Sequence, residues 1–217
     1  MQFYGATETS GSVTLLRPTE HDLEREDKLK ACGRPLPLPL IALRIVDEAG
    51  QDVADGQPGE LWVRSPSLAS GYWKKPDVTA DVFQQGWYKS GDIAIRDEEG
   101  LYYIHDRLKD MIVSGGENIY STEIESVIST HSAVAVVAVI GVPDPRWGEA
   151  VKACVVLKND QQLSAEDLLT YCRSRLASYK LPKSVECYAA FPMTGSGKIA
   201  KRELRAPFWA GQDRAIG

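Results

Sequence analysis

The stretch Asp106-Arg-Leu-Lys-Asp-Met-Ile-Val-Ser-Gly-Gly-Glu-Asn-Ile119 joins two parts of the chain that have different patterns. The residues before it alternate between apolar and polar side chains, as strands do, and the residues after it begin a helical pattern. Its glycine pair lets the backbone bend or approach a ligand closely, because glycine has no Cβ to restrict φ. Two interpretations remain open from these residues alone: a surface hairpin followed by a strand-to-helix turn, or a joint that carries function.

The composition is that of an ordinary globular protein, with 43% hydrophobic and 25% charged residues in 217. This length suits one large domain or two small ones, and we favour two. The net charge of -5 argues against a general nucleic-acid or membrane surface. No basic segment precedes an apolar run at the start, and the longest apolar run, residues 133–140, is far shorter than a membrane helix. We therefore expect a cytoplasmic protein with no transmembrane segment and no nucleic-acid partner.

The cysteines and histidines do not form a metal-binding or disulfide pattern. The four cysteines are widely spaced without a Cys-x-x-Cys pair, and the three histidines do not cluster. Reduced thiols are therefore expected, and a zinc site is not.

Before the joint, short apolar runs with close turn signals predict a small distorted β-barrel or sandwich over residues 1–105. Strands are expected at Ile41–Val46 and Glu60–Arg64, followed by a hairpin over residues 86–104. The alternate prolines of Pro35–Pro39 predict an edge strand or an extended linker, since proline cannot donate inside a sheet. Four aromatic residues are interpreted as core or interface side chains: Tyr72, Trp73, Trp87 and Tyr88.

After the joint, mixed elements predict a compact α+β domain over residues 106–217. One helix is expected to start with Ser121 or Thr122 as its cap, with Glu125 completing a capping box from Thr122. The other expected elements are strands at Val134–Ile140, Val151–Leu157 and Val185–Ala189, and a helix over Ser164–Ser178 that is capped by Ser164.

Three segments each admit a functional and a plain interpretation. Tyr4–Glu8 and the hydroxyl-rich residues after it could contact phosphates and Mg²⁺, or form a polar N-terminal tail. Asp92 could accept bonds from a sugar diol or close a turn. Thr194-Gly-Ser-Gly-Lys198 is not a Walker loop, because Pro192 and Ile199 stand where glycine and Ser or Thr are required. Its lysine is either simply solvated or available to stabilise developing negative charge.

Four segments taken together resemble the signature motifs of the adenylate-forming (ANL) superfamily, which contains acyl-CoA synthetases, peptide-synthetase adenylation domains and luciferases. The resemblance spans essentially the whole chain. The tract Gly141–Ala150 resembles the acyl-CoA synthetase branch, and the ending from Phe208 onward is similar to long-chain fatty-acid–CoA ligases. The four segments are Tyr4-Gly-Ala-Thr-Glu8, Gly86-Trp-Tyr-Lys-Ser-Gly-Asp92, Asp106-Arg-Leu-Lys-Asp-Met-Ile112 and Thr194-Gly-Ser-Gly-Lys198.

The resemblance implies an adenylate site in the first half of the chain. Tyr4 would lie against adenine, and Thr7 would touch the AMP phosphate. Glu8 would act in catalysis by holding Mg²⁺. Asp92 would take the ribose hydroxyls, and Arg107 would reach the ribose or phosphate.

The resemblance also implies roles in the second half. Lys109 would be the hinge about which the small domain rotates between two half-reactions, and Lys198 would be the catalytic lysine of the first. The expected cofactors and substrates are ATP or AMP, Mg²⁺ and coenzyme A. The residues expected to line the pantetheine path or contact CoA are Ser114, Gly115, Gly116, Glu117, Trp147, Tyr179 and Lys183.

The sequence is therefore interpreted as the C-terminal portion of a fatty-acid–CoA ligase. Its start at the Tyr4 segment implies a truncated chain without the triphosphate loop and acyl pocket, so we expect this chain alone to be inactive. An exposed barrel could also self-associate. Alternatives are a non-catalytic fragment that binds CoA or a partner, and a peptide-synthetase adenylation unit, which is disfavoured because no carrier segment follows Gly217. Ser121 replaces the proline usual in the family, a change expected to cost little.

Overall fold

The computed structural model describes residues 1–25, 28–37, 40–212 and 214. Positions 38 and 39 of the proline segment and position 213 of the C-terminal tract lie outside the described residues. The chain divides into two compact units, Met1–Leu108 and Lys109–Gly217, here called the N-unit and the C-unit. The boundary expected from the sequence lay between residues 105 and 106, and the hinge role of Lys109 stays a prediction.

The N-unit is built from short antiparallel strands in two sheets, with strand orders β1-β2-β3 and β4-β5-β7-β6, and with β8 beside β7. Single 3₁₀ turns lie at Thr7–Thr9, Pro18–Glu20 and Lys28–Lys30. The elements are β1 (Gln2–Ala6), β2 (Gly11–Leu16), β3 (Arg34–Pro35), β4 (Ala42–Val46), β5 (Gly59–Arg64), α1 (Pro76–Val82), β6 (Phe83–Gln84), β7 (Trp87–Arg96) and β8 (Tyr102–Arg107).

The two sheets of the N-unit are joined through the residues just before β3. The Cys32 N–H donates to the Tyr102 carbonyl at 2.8 Å, and the Tyr102 N–H donates to the Gly33 carbonyl at 2.9 Å. The strands therefore curl around a shared core that includes Val13, Leu61 and Tyr102. This curled half-barrel confirms the fold class expected for the first half, and Pro35 lies in an edge strand as predicted.

One of the four predicted core or interface aromatics is not in the core. Tyr88 is buried, and Tyr72 and Trp87 are half-buried, but Trp73 is 86% exposed. Trp73 lies in the loop before α1 and is therefore not a core residue, and the alternative of an interface residue stays a prediction. Self-association of this unit stays a prediction.

Gly33 should be among the least replaceable residues of the N-unit. Its φ is +96°, and a Cβ built on it would lie 2.0 Å from the Leu15 carbonyl carbon. We expect Gly33→Ala to destabilise the chain by more than about 3 kcal/mol, at the upper end of point-mutation effects. Gly56→Ala is the matched control, since its φ is +81° but nothing lies within 4 Å, and it should cost only about 1–2 kcal/mol. Urea unfolding measures both, and equal losses would contradict the clash.

The C-unit contains one five-stranded sheet of order β10-β9-β12-β11, with β13 parallel to β12 and the other pairs antiparallel. This mixed architecture confirms the α+β class expected for the second half. None of the described helices of the chain is long and apolar enough to cross a membrane. The elements are β9 (Ile112–Ser114), β10 (Glu117–Ile119), α2 (Ser121–Ser129), β11 (Val134–Asp144), β12 (Gly148–Leu157), α3 (Ala165–Arg173), β13 (Ser184–Cys187) and α4 (Lys201–Arg205).

The central strands of this sheet are covered on both faces, which explains their continuous apolar sequence. Val139 of β11 belongs to the same buried cluster as Leu168 of α3, whereas Cys154 of β12 belongs to a second cluster with Leu204 of α4. Near the start of β11, Val134 is buried but Val136 is 44% exposed. The four cysteines are free thiols, as expected, and three of them are buried.

The N-cap of α2 lies one residue before the predicted cap. The helix begins at Ser121 with Tyr120 as its N-cap, and the Tyr120 side chain makes no cap bond. The Glu125 carboxylate accepts a bond from the Val139 N–H at 2.7 Å, which connects the helix to β11. The capping box from Thr122 stays a prediction.

The predicted cap of α3 is confirmed, but the helix is shorter than expected. The Asp167 N–H donates to Ser164 Oγ at 3.1 Å. The helix ends at Arg173, where Ser174 Oγ donates to the Tyr171 carbonyl at 3.3 Å. Serine hydroxyls that bond to backbone carbonyls compete with helix continuation, which the apolar periodicity alone could not reveal.

Candidate functional site

The joint contains a two-residue hairpin between β9 and β10. Ser114 pairs with Glu117, and the residues between them, Gly115 and Gly116, have φ of +63° and +88°. Positive φ at both central positions is the geometry of a type I′ turn, whose twist matches that of the strands. The glycine pair is therefore required by the turn, as the hairpin interpretation predicted.

Trp147 lies against this hairpin. The Gly115 N–H donates to the Trp147 carbonyl at 2.8 Å, and a Cβ on Gly115 would lie 2.7 Å from Cε3 of the indole. Trp147 remains 41% exposed, with the Arg146 guanidinium 4.5 Å from its ring centroid. The hairpin Ser114–Glu117 and Trp147 therefore form one exposed surface, and its role in CoA binding stays a prediction.

Tyr179 and Lys183 occupy the segment that precedes β13. Tyr179 is 46% exposed, and the Lys183 N–H donates to the Val151 carbonyl at 2.8 Å. No hydrogen bond within the described ranges links either residue to the hairpin. Their assignment to CoA contact stays a prediction.

In the N-unit, Asp92 is held between two of the other predicted ligand residues. The Tyr4 hydroxyl donates to Asp92 Oδ2 at 2.6 Å, and Arg107 Nε lies 3.4 Å from Asp92 Oδ1. Burial, followed by the charge of Asp92, raises the pKa of Tyr4 well above its usual range. Tyr4 therefore stays protonated and donates throughout the physiological pH range.

The sheet explains how these residues meet. Asp92 of β7 pairs with Arg107 of β8, and the Asp92 N–H donates to Ser90 Oγ at 3.1 Å. Gly91, with φ of +69°, donates its N–H to Glu60 Oε1 at 3.0 Å. The carboxylate of Asp92 thus faces Tyr4 and Arg107, and its role toward a sugar diol stays a prediction.

Glu8 lies in a fixed turn, so the interpretation of its segment as a loose tail is wrong. Thr9 is buried, and its hydroxyl donates to the Gly11 carbonyl at 2.6 Å. The Ala69 N–H donates to the Glu8 carbonyl at 2.8 Å. Thr7, in the same turn, is exposed and leaves its hydroxyl at the surface.

The sequence analysis missed two tyrosines that surround Glu8. The Tyr72 hydroxyl donates to Glu8 Oε1 at 2.7 Å, and burial with this bond raises the pKa of Tyr72 to about 12. Burial and the Glu8 charge also raise the pKa of the buried Tyr88. No local pattern could have revealed the Tyr72 contact, because 64 residues separate the two partners.

Glu8 could supply one carboxylate ligand to a Mg²⁺ ion whose other ligands are water and substrate phosphates. No cluster of three or more His, Cys, Asp or Glu side chains that could hold a metal occurs in the part of the chain that the structure describes. Mg²⁺ commonly takes one or two carboxylates and completes its shell with water and substrate phosphates. Glu8, with one oxygen oriented by Tyr72, suits such a role, which stays a prediction.

The free energy of unfolding of Tyr72→Phe tests the hydrogen bond from the Tyr72 hydroxyl to Glu8. Loss of a hydrogen bond to a charged group should cost about 1.5–3 kcal/mol near neutral pH. The raised pKa of Tyr72 means that its contribution is complete below the unfolded value of about 10 and is lost as pH rises through about 12. The stability advantage of the wild type over Tyr72→Phe, measured by urea unfolding, should therefore decline above pH 10. A difference that stays constant with pH would contradict the bond, and Tyr171→Phe serves as the control at a half-buried phenol whose partner is the uncharged Thr130 hydroxyl.

Lys198 is presented by a closed turn. The Thr194 N–H donates to the Lys198 carbonyl at 2.7 Å, and the Lys198 N–H donates to Thr194 Oγ1 at 3.1 Å. Gly197 supplies the required left-handed residue, with φ of +77°. The side chain of Lys198 is exposed. Its backbone is therefore fixed while its ammonium stays available.

A cavity of about 180 Å³ lies against β4, away from the predicted site residues. Its lining includes the ion pairs of Arg44 with Asp52 and of Arg96 with Asp55. It is smaller than the roughly 300 Å³ of ordinary ligand pockets and is strongly charged. It does not fit an apolar acyl chain.

Known protein families match both units. The profile of the AMP-binding enzymes matches residues 1–73, and that of the AMP-binding enzyme C-terminal domain matches residues 123–198. The medium/long-chain-fatty-acid–CoA ligase FadD8 of Mycobacterium tuberculosis is 43% identical over 224 residues, which cover 100% of this chain and 38% of that protein. A feruloyl-CoA synthase of an Amycolatopsis species is 44% identical over 208 residues, covering 96% of this chain and 41% of that protein.

The structural comparison agrees. The o-succinylbenzoate CoA synthetase (MenE) of Bacillus subtilis, in complex with its acyl-adenylate intermediate, has a TM-score of 0.84 at 36% identity, covering 94% of this chain and 40% of that one. The same synthetase in complex with ATP and a magnesium ion has a TM-score of 0.82. The chain thus spans about two fifths of the length of these proteins. It belongs to the AMP-binding family of adenylate-forming enzymes.

Proposed function

We propose that this chain supplies the C-terminal part of an acyl-CoA ligase, which activates a carboxylic acid as an acyl-adenylate with ATP and transfers the acyl group to CoA. The observation that carries the proposal is Asp92, oriented by Tyr4 and Arg107 within the N-unit. A carboxylate with both oxygens fixed is suited to accept bonds from the two hydroxyls of a ribose. A cationic partner beside it suits the adjoining phosphate.

The N-unit residues bind and orient the nucleotide in this proposal. Tyr4 presents its ring to adenine, Thr7 offers its exposed hydroxyl to the α-phosphate, and Glu8 holds Mg²⁺. When bound, Mg²⁺ neutralises phosphate charge. Tyr72 keeps the Glu8 carboxylate in one orientation, so less order has to be imposed when the nucleotide binds.

The C-unit residues act in turn. Lys198 stabilises the negative charge that develops when the carboxylate attacks the α-phosphate and pyrophosphate leaves. In the second half-reaction the surface formed by the hairpin Ser114–Glu117 and Trp147 guides the pantetheine arm, with Tyr179 and Lys183 as further CoA contacts. Rotation about Lys109 exchanges the two roles.

A fatty acid is the proposed substrate, because a medium/long-chain-fatty-acid–CoA ligase matches the whole of this chain. An aromatic acid is the second candidate, since a feruloyl-CoA synthase is equally similar. A cytoplasmic location is part of the proposal. Sequencing the DNA upstream of the Met1 codon, and assaying the protein it encodes with dodecanoate and ferulate, tests the substrate.

The chemistry itself is tested in a hybrid in which residues 1–217 replace the matching part of the M. tuberculosis ligase FadD8. The hybrid should release pyrophosphate in the presence of a fatty acid and form its CoA thioester, within the common enzyme range of roughly 1–10³ s⁻¹. Asp92→Asn should weaken both reactions through poorer ATP binding, whereas Asp81→Asn, at an exposed position of α1, should not. A folded hybrid that binds CoA but never releases pyrophosphate would instead support a non-catalytic CoA-binding module.

A further inference from the structure

Two arginines near the end of the chain lie in the interior of the C-unit and meet at its first residue. Arg205, the last residue of α4, is 7% exposed, and the side chain of Arg214 is 9% exposed. Arg205 Nη1 donates to the Lys109 carbonyl at 3.0 Å, and Arg214 Nη1 donates to the same oxygen at 2.5 Å. The carbonyl of the predicted hinge residue is thus bound twice by the C-unit.

Each arginine is paired with a carboxylate, so both stay charged in this buried place. Arg205 Nη1 lies 2.9 Å from Asp110 Oδ1, and Arg214 binds Glu149 through two bonds of 2.7 and 3.0 Å. Burial and the neighbouring Arg214 charge lower the pKa of Arg205 from its usual value, and the two carboxylates oppose the charge repulsion. Arg214 Nη2 also donates to the Met111 carbonyl at 2.7 Å.

The fold makes space for this group of charges at Gly141 of β11. A Cβ on Gly141 would lie 2.2 Å from Glu149 Oε2, so any larger residue would displace the carboxylate. Trp209 Nε1 donates to the Gly141 carbonyl at 3.0 Å, which holds the C-terminal segment against the same strand. The contacts of Arg214 are therefore part of the packed C-unit.

These bonds determine which torsions near Lys109 stay free. The peptide unit from the Cα of Lys109 to the Cα of Asp110 is planar, so fixing its carbonyl fixes the whole plane. The first torsions that can change without breaking the bonds are ψ and φ of Lys109. We propose that Arg205 and Arg214 are positioning residues that fix the Lys109–Asp110 peptide to the C-unit and confine domain rotation to Lys109 and the residues before it.

Trypsin cleavage of the 217-residue chain tests whether the Lys109–Asp110 peptide is fixed. This test does not require ligase activity. Trypsin cuts after lysine only where the backbone can adapt to its active site, so the bond after Lys109 should be protected relative to the bond after Lys198. Arg214→Ala leaves the Glu149 charge buried and unpaired, which is strongly destabilising. The main variant is therefore Arg214→Met with Glu149→Gln, which removes both charges together.

In the double variant, the ratio of cleavage after Lys109 to cleavage after Lys198 should rise about tenfold, equivalent to about 1.4 kcal/mol. Arg214→Lys should give a smaller rise, because lysine has no planar fork for two bonds. Arg202→Ala, at an exposed position of α4, should leave the ratio unchanged. General loss of stability also raises cleavage after Lys109, so Leu168→Ala in the core of the C-unit gives the rise that destabilisation alone produces. A ratio in the double variant no higher than that of an equally destabilised Leu168→Ala would overturn the proposal.

The consequence for rotation rests on the proposed function and is tested in the active hybrid. There the double variant should slow complete turnover more than either half-reaction measured alone, because the looser hinge populates unproductive orientations. A raised cleavage ratio with unchanged turnover would overturn the confinement of rotation. A hybrid that is inactive even with the wild-type residues would count against the proposed function and leave the cleavage result standing.

Discussion

Lys198→Ala should slow adenylation by about 10²–10³-fold, as expected when one charge-stabilising group is removed from a transition state. Transfer to CoA from a supplied acyl-adenylate should be nearly unchanged. The reason for the difference is that negative charge accumulates on the carboxylate and α-phosphate oxygens only in the first half-reaction. The FadD8 hybrid allows both half-reactions to be measured separately.

The structure makes this substitution a clean test. The turn that presents Lys198 is closed by the Lys198 backbone and Thr194, and the side chain is exposed, so Ala should change stability by less than about 0.5 kcal/mol. Lys158→Ala removes another exposed lysine of the C-unit and should affect neither half-reaction. Equal slowing of both half-reactions by Lys198→Ala would show that the assigned role is wrong.

Much of the fold could be predicted from the sequence because local patterns decide it. The alternation of apolar and polar residues predicted the strands β7 and β8. The glycine pair of the joint predicted a turn, and both of its residues have positive φ. Ser164 caps α3 as its position predicted. The local pattern could not reveal long-range contacts, such as the bond from the Val139 N–H of β11 to the Glu125 carboxylate of α2.

The candidate site was only partly predictable for the same reason. Resemblance to known motifs selected Tyr4, Glu8 and Asp92, but the orienting contacts depend on how distant strands pair. Tyr4 and Asp92 are 88 residues apart, and Arg214 reaches the Lys109 carbonyl across 105 residues. Nothing in the sequence near Tyr72 or Arg214 distinguishes either residue from ordinary surface tyrosines and arginines.

Lys109→Pro should preserve one half-reaction and reduce the other by about 10²-fold or more, the loss that a misplacement of about 1 Å can produce. Proline fixes φ near −65° and also restricts the preceding Leu108. These are the torsions that remain free when the Lys109 carbonyl is fixed by Arg205 and Arg214. Proline retains that carbonyl, so the substitution limits rotation without removing either bond.

Lys109→Ala is the control that separates the backbone from the side chain. The side chain of Lys109 is exposed, and alanine keeps φ free, so both half-reactions should continue at near wild-type rates. Pyrophosphate exchange measures the first half-reaction in the hybrid, and thioester formation from a supplied acyl-adenylate measures the second. If Lys109→Pro folds as stably as Lys109→Ala but loses both half-reactions equally, rotation does not take place at this residue.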